Sequence, residues 1–461
     1  MTSQPTTAVS PWWRQLNRGH WFVFAVASLA WLFDCLDQQL FILARNSAMV
    51  ALSPPHTDPA LLKAAGSNAT AIFVAGWAVG GLIFGAVGDR IGRAKTLAMT
   101  VLLYSVFTGL SAFATSVPMF EFFRFLTGLG VGGVFGLSVA LVADSLPDAA
   151  RPHALGVLQA LSAVGNVSAG LISILVGWLE TFKIAPGSAW RWMFLIGALP
   201  AFLCVFIQIR LREPEKWVKA RAAGKVSGVR FGSYAVLLGD VRWRSRALIG
   251  MLLCVSGVIG LWGIGFFSPE LTKDVIGRML KSEGIPPEKL AGYGTMWTGL
   301  SLICQNLGAF AGMMIFTKLA SQYGRKPVFA VAFVCAMLST IGVFRFFNAR
   351  GDIFWMIPLM GFFQLSLFAG FAIYLPELFP VSLRSTGTSF CYNVGRFVAA
   401  AGPFFMGRLT TALAAGAVTP EAKLQAFRNA GCWMSGIFLL GLIALPFLPE
   451  TKGRPLPEDS P

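Results

Sequence analysis

The chain alternates between long apolar runs and short polar interruptions. Twelve runs, at 21–44, 69–87, 96–114, 118–141, 154–177, 192–209, 247–267, 293–316, 328–347, 354–375, 388–409 and 430–448, are long enough to cross a bilayer as helices, for which about 17–25 residues suffice. The pattern predicts an all-α integral membrane protein with twelve transmembrane helices. An even number puts both ends of the chain on one side. The first run is unusual in holding Asp34 and Asp37 in its second half. Three residues apart, the two acids share one helical face. An acid at bilayer depth costs ~2.5–3.5 kcal/mol on insertion scales, so the pair calls for partners or a function.

Composition agrees with the pattern. With 55% hydrophobic residues, 13% charged residues and a mean hydropathy of +0.67, the chain is unlike a soluble globular protein. A net charge of +16 would suit a nucleic-acid partner, but the basic residues fall between the apolar runs and read instead as membrane topology. Their bias favours cytosolic termini, and residues 210–246 alone hold ten Lys and Arg. The expected division is a cytosolic segment at 1–20, a six-helix half at 21–209, a basic cytosolic linker at 210–246, a second six-helix half at 247–448 and a cytosolic tail at 449–461. Residues 12–20 are too polar, and 21–44 too long and acidic, for a cleaved secretory signal, so the first helix is expected to remain. The seven cysteines lie in apolar runs without metal-ligand spacing and are expected to be free thiols. No Gly-rich phosphate loop with its lysine is present, so neither ATP drive nor a cofactor is expected.

An internal repeat supports two halves. Asp144-Ser-Leu-Pro147 followed by Arg151 recurs as Glu377-Leu-Phe-Pro380 followed by Arg384, an offset of 233 residues. Gly92-Arg93 recurs as Gly324-Arg325, an offset of 232. Parallel repeats about an axis along the membrane normal produce this pattern in transporters.

Gly88-Asp-Arg-Ile-Gly-Arg-Ala-Lys95 resembles the loop signature of the major facilitator superfamily, and Glu377–Arg384 and Pro449-Glu-Thr-Lys-Gly453 resemble segments of its sugar-porter branch. Pro11-Trp-Trp-Arg-Gln-Leu-Asn-Arg18, Asp34-x-x-Asp37 and Tyr392-Asn-Val-Gly-Arg396 are more similar to the sialate:proton and aromatic-acid:proton symporters. The resemblance implies alternating access and proton-coupled uptake. Two departures weigh against a hexose: residues 255–267 lack the paired glutamines of sugar porters and offer Trp262 instead, and Gly370-Phe-Ala-Ile-Tyr374 stands ahead of Pro376-Glu377 where sugar porters tend to place a tryptophan. Ser321 stands where the first copy of the loop has Asp89, so the two halves should not gate identically.

Three groups of candidate residues follow. In the loops, Gly88 and Gly92 suit a tight reversal and Arg90 and Arg93 suit an anionic leaflet. Asp89 could face the positive start of the eleventh helix near Thr388, closing the cytosolic side. Asp144, Arg151, Gly324, Arg325, Glu377 and Arg384 complete this candidate gate. Inside the membrane, polar residues recur every three or four positions: Gln159, Ser162, Asn166, Gly170 and Ser173; Trp297, Ser301, Gln305, Gly308 and Gly312; Ser389, Asn393, Arg396 and Ala400. Such stripes serve as glue between membrane helices or line a polar cavity, the latter with Asn306, Gln364 and Trp262 added. Arg396 cannot lose its charge and should face water, substrate or an acid. For coupling, Arg124 and Asp37 fall at nearly the same depth at ~1.5 Å per residue, with Asp34 one turn deeper. Burial favours a protonated carboxyl and a guanidinium an ionised one, so making and breaking an Arg124–Asp37 pair could couple protons to conformation.

The expected protein is a monomeric secondary active transporter of the inner (plasma) membrane, symporting a proton with a small organic anion and binding no nucleic acid. A sugar or polyol porter, a uniporter and a transporter-derived membrane sensor are the alternatives.

Overall fold

The computed structural model describes residues 11–181, 189–208, 210–399, 402–416 and 418–458. The membrane helices are α1 (Arg18–Leu52), α2 (Pro59–Ile91), α3 (Arg93–Ser111), α4 (Val117–Ser145), α5 (Arg151–Thr181) and α6 (Ala189–Gln208) in the first half of the chain. In the second, α7 runs Val241–Val258, passes through a π-helical turn Ile259–Ile264 and a 3-10 turn Gly265–Phe267, and continues as Ser268–Ser282. It is followed by α8 (Pro287–Tyr323), α9 (Arg325–Phe346), α10 (Met356–Leu378), α11 (Arg384–Ala399 and Gly402–Leu413) and α12 (Pro420–Phe447). Among the described residues, ten stretches are long and apolar enough to span a membrane; α6 and α11 complete the twelve-helix fold. The Ser173 side chain and Ala400, which the stripes included, lie outside the described residues, as does the side chain of Cys204. The six described cysteines are unpaired thiols.

Several helices outrun their apolar cores. The sequence pattern ends the seventh run at 267, yet α7 continues to Ser282 because Leu271, Val275, Ile276 and Leu280 form an apolar stripe that packs against Phe344, Phe347 and Met356 in a separate small core.

Packing follows the two halves. Helix α4 packs on α2 and α3, α1 on α5 and α6, α10 on α8 and α9, and α7 on α11. The halves meet where α11 lies against α2 and α4, and where α5 lies against α8 and α10. Close approach is what joins helices when no water is there to drive apolar burial. A Cβ added at Gly76, Gly80, Gly128 or Gly132 would run into the backbone of the opposing helix in the α2–α4 pair.

The α2–α3, α4–α5, α8–α9 and α10–α11 connections share one end of the bundle with the linker helices Glu215–Ser227 and Tyr234–Gly239 and with the tail. We call this end the linker face. Gly92 and Gly324 make the helix reversals there with φ of +126° and +105°, a region open to glycine at no steric cost. Gly88 does not turn the chain: it is helical, and a side chain there would strike Leu137.

Candidate functional site

At the centre, where the halves meet, Arg396 of α11 is held between two aromatic faces. Its Cζ lies 3.7 Å from the Trp77 ring centroid on α2 and 4.3 Å from that of Tyr392, one turn back on its own helix. Desolvated contacts of this kind contribute ~2 kcal/mol. Nη2 donates to the Tyr392 hydroxyl at 2.9 Å. Nε and Nη1 are buried and have no hydrogen-bond partner among the described residues. Tyr392 stacks on Phe135 of α4 at 3.9 Å, Phe135 meets Trp31 of α1 at 5.1 Å, and Trp262 of α7 stands edge-on to Trp77 at 6.1 Å. Aromatic rings from both halves therefore enclose one cation.

Asp34 and Asp37 are fully buried but face different cations. Asp34 is within electrostatic reach of Arg396 and accepts from Gln38 Nε2 at 3.0 Å. Asp37 is within reach of Arg124, but no direct Arg124–Asp37 ion pair is formed. Hydroxyls of α3 take both partners instead: Thr108 donates to Asp37 at 2.8 Å, and Arg124 Nη2 donates to Ser111 at 2.6 Å, as well as to Thr127 on its own helix α4 at 3.0 Å. Phe194 covers the Arg124 guanidinium at 4.7 Å.

The other intramembrane candidates separate into four environments. Asn166 donates to Asn306 across the halves at 3.1 Å, and both line a cavity of about 70 Å³ with Gln305 and Gln39. That is room for water rather than an organic acid. Gln159 is buried nearby on α5, its Oε1 without a partner among the described residues. Gln364 donates to Thr340 at 2.7 Å, inside the second half. Asn393 donates to the Ser389 and Gly132 carbonyls at 2.9 and 3.4 Å and so joins α11 to α4. Trp297 is drawn away from the centre, lying 5.7 Å from Arg350, which pairs with Glu283 at the end opposite the linker.

At the linker face the charges pair differently from the spacing Asp144/Arg151 and Glu377/Arg384. Asp144 pairs with Arg93 and, across the halves, with Arg384. Arg151 pairs with Asp148, and Glu377 with Arg325 at 2.7 Å. Arg151 and Arg384 share another role: the Nε of each donates to a carbonyl eight residues back, Ala143 at 3.0 Å and Pro376 at 3.1 Å. Asp89 accepts from Arg93 at 3.0 Å, from the Ser385 and Thr386 amides at 3.2 and 2.8 Å, and from the Thr386 hydroxyl at 2.7 Å. The contact is thus with the first turn of α11, just before Thr388. Arg90 is exposed. Among the described residues Ser321 bonds only its own helix, at Thr317 O, and the linker face is closed chiefly by the first-half copy of the loop.

The sequence pattern that defines the Major Facilitator Superfamily matches residues 38–403. The chain belongs to the major facilitator superfamily. It is 26% identical to the cis,cis-muconate transport protein of Acinetobacter baylyi over 84% of this chain and 87% of that protein. It is 24% identical to the sialic acid transporter NanX of Escherichia coli, covering 83% and 86%. The proton:xylose symporter XylE superposes with a TM-score of 0.71 over 95% of this chain and 97% of that one, at 18% identity, a likeness of fold. This major facilitator protein is a membrane transporter of small organic substrates and not an enzyme.

Several residues that the major facilitator fold brings to these layers had no site role assigned from the sequence, Tyr392 and Glu450 being named only within motifs. Tyr392 stands four before Arg396, a spacing that places both on one face. Trp77, Thr108 and Ser111 gave no signal among many similar residues. Glu213, whose carboxylate accepts from the amides of Arg93, Ala94 and Lys95 at 2.8, 3.2 and 3.0 Å, was traceable only as an echo of Glu450. Glu450 accepts from the amides of Arg325 and Lys326, both at 3.0 Å.

Proposed function

We propose that this transporter couples inward movement of a proton to uptake of a small organic anion bearing a carboxylate, by alternating access, as a monomer in the inner (plasma) membrane with both termini cytosolic. The observation that carries the substrate class is Arg396: a cation at the junction of the halves, walled by aromatic rings, with two buried guanidinium nitrogens that have no acceptor among the described residues. A carboxylate accepts two parallel N–H donations from one guanidinium, which a hydroxyl cannot do. The names of the relatives, muconate and sialic acid transporters, are consistent with this because both compounds are carboxylic acids. Asp34 and Asp37 are the proton carriers in this reading, with Arg124 and Arg396 as the cations that compete with protons for them. The positive bias of the linker supports cytosolic termini.

Carboxylates and sugars screened against purified protein by thermal shift identify the ligand, since a compound at 100 times its Kd stabilises by about 2.7 kcal/mol. Arg396→Lys replaces a planar fork by a point charge, and its Kd for that ligand should rise at least tenfold. An unchanged Kd removes Arg396 from the site.

A further inference from the structure

A cleft of about 570 Å³ opens on the linker face between the linker helix Glu215–Ser227, the α4–α5 turn, the start of α11 and the tail. Its volume falls within the roughly 300–1,000 Å³ of small-molecule sites. Lys216 and Lys219 line one side and Arg384 another, with Val229, Val381 and Leu456 supplying apolar wall. Arg384 is fully buried; Asp144 takes its Nη1 and the Pro376 carbonyl its Nε, while Nη2 has no hydrogen-bond partner among the described residues. Among the described residues the lysines hold only exposed acids, Lys216 at 3.4 Å from Asp148 and Lys219 at 3.6 Å from Glu215. Exposed pairs of this kind contribute little and exchange readily for another anion.

We propose that this cleft is a second binding site, for a small anion that carries a phosphate or carboxylate on an apolar body, and that its occupancy favours the closed linker face. The anion would join Arg384 of the second half to the linker helix. That helix is itself fixed to the first half where Trp217 Nε1 donates to the Asp89 carbonyl at 3.0 Å. A ligand that bridges these parts only while they are together shifts the population toward closure. A soluble metabolite and an anionic phospholipid headgroup both offer this chemistry.

Phenyl phosphate, inorganic phosphate and phenol serve as probes of the full chain in phosphatidylcholine nanodiscs, with binding read by calorimetry and closure by spin-label distances across the linker face. Phenyl phosphate should bind and shift the distances toward the short population, inorganic phosphate should bind more weakly, and phenol should not bind. Lys216→Gln combined with Lys219→Gln should weaken phenyl phosphate at least tenfold, whereas Arg396→Lys should leave its affinity unchanged. Adding phosphatidylglycerol to the nanodisc separates the sources: if it produces the distance shift in the wild type and not in the lysine variant, the anion is a lipid headgroup. If it is silent while phenyl phosphate acts, the anion is soluble. Absence of any response to phenyl phosphate and phosphatidylglycerol, equal binding of phenol, or a lysine variant that responds like the wild type would overturn the proposal.

Discussion

Arg396, Asp34, Asp37 and Arg124 are charges placed where a bilayer makes charge expensive, and their partners show how each is tolerated. Arg396 has rings on two sides and one hydroxyl; Asp37 has Thr108. A hydrogen bond to a charged group contributes about 1.5–3 kcal/mol, so Thr108→Val should disturb coupling more than binding. Gradient-driven uptake is expected to fall about tenfold, with substrate exchange near normal and Thr108→Ser close to the wild type. Parallel loss of exchange would make Thr108 merely structural. The acids and Arg396 stood out in the sequence because nothing apolar explains them. Thr108 and Ser111 did not, because a hydroxyl on a membrane helix usually bonds its own backbone, as Ser105 does to Val101 O at 2.7 Å. The depth argument brought Arg124 level with Asp37 but could not see that α3 hydroxyls take the polar atoms of both.

The helices carry these side chains through two devices, close glycine contact and end caps. Trp77 rests on α2, which meets α4 so closely that alanine at Gly80 or Gly132 has backbone in its way. Overpacking typically costs 1–3 kcal/mol, and Gly132→Ala is expected to lower the melting temperature and weaken carboxylate binding together, because it displaces the Trp77 backbone. Retention of both would show that the pair can shift freely. At the start of α9, Glu450 caps the backbone amides of Arg325 and Lys326. Partial burial pushes its carboxyl up, but the amides of Arg325, Lys452, Lys326 and Thr451 outweigh this and hold it below the ordinary 4.5. A lowered folded-state pKa means the cap is fully present above that value and is lost as the pH falls below it. Stability measured from pH 6 downward should therefore decline below about 4.5 with a component that Glu450→Gln removes. The helices were legible from their apolar runs. The caps were not, since Glu213 and Glu450 act on helices 120 and 125 residues away in sequence.

As a whole, the molecule is closed on the linker face, where Asp144–Arg384 and Asp89 with the first turn of α11 cross between the halves. Asp89→Asn should leave the protein folded but shift spin-label distances toward a population open on that face, because the contact exists only when the face is closed. An unchanged distribution would remove Asp89 from the gate. The twelve-helix fold could be read from run lengths and the repeat of Gly92-Arg93 at Gly324-Arg325. The pairing at the linker face could not, because Arg93 and Arg384 converge on one aspartate only after the halves have assembled. Proton coupling is tested most directly in liposomes with an imposed proton gradient, comparing accumulation with exchange for the carboxylate that the protein binds. Wild-type protein should concentrate it, and Asp37→Asn should abolish accumulation while sparing exchange, which need not cycle the proton. Accumulation retained in both Asp37→Asn and Asp34→Asn would contradict proton coupling and make the protein a uniporter.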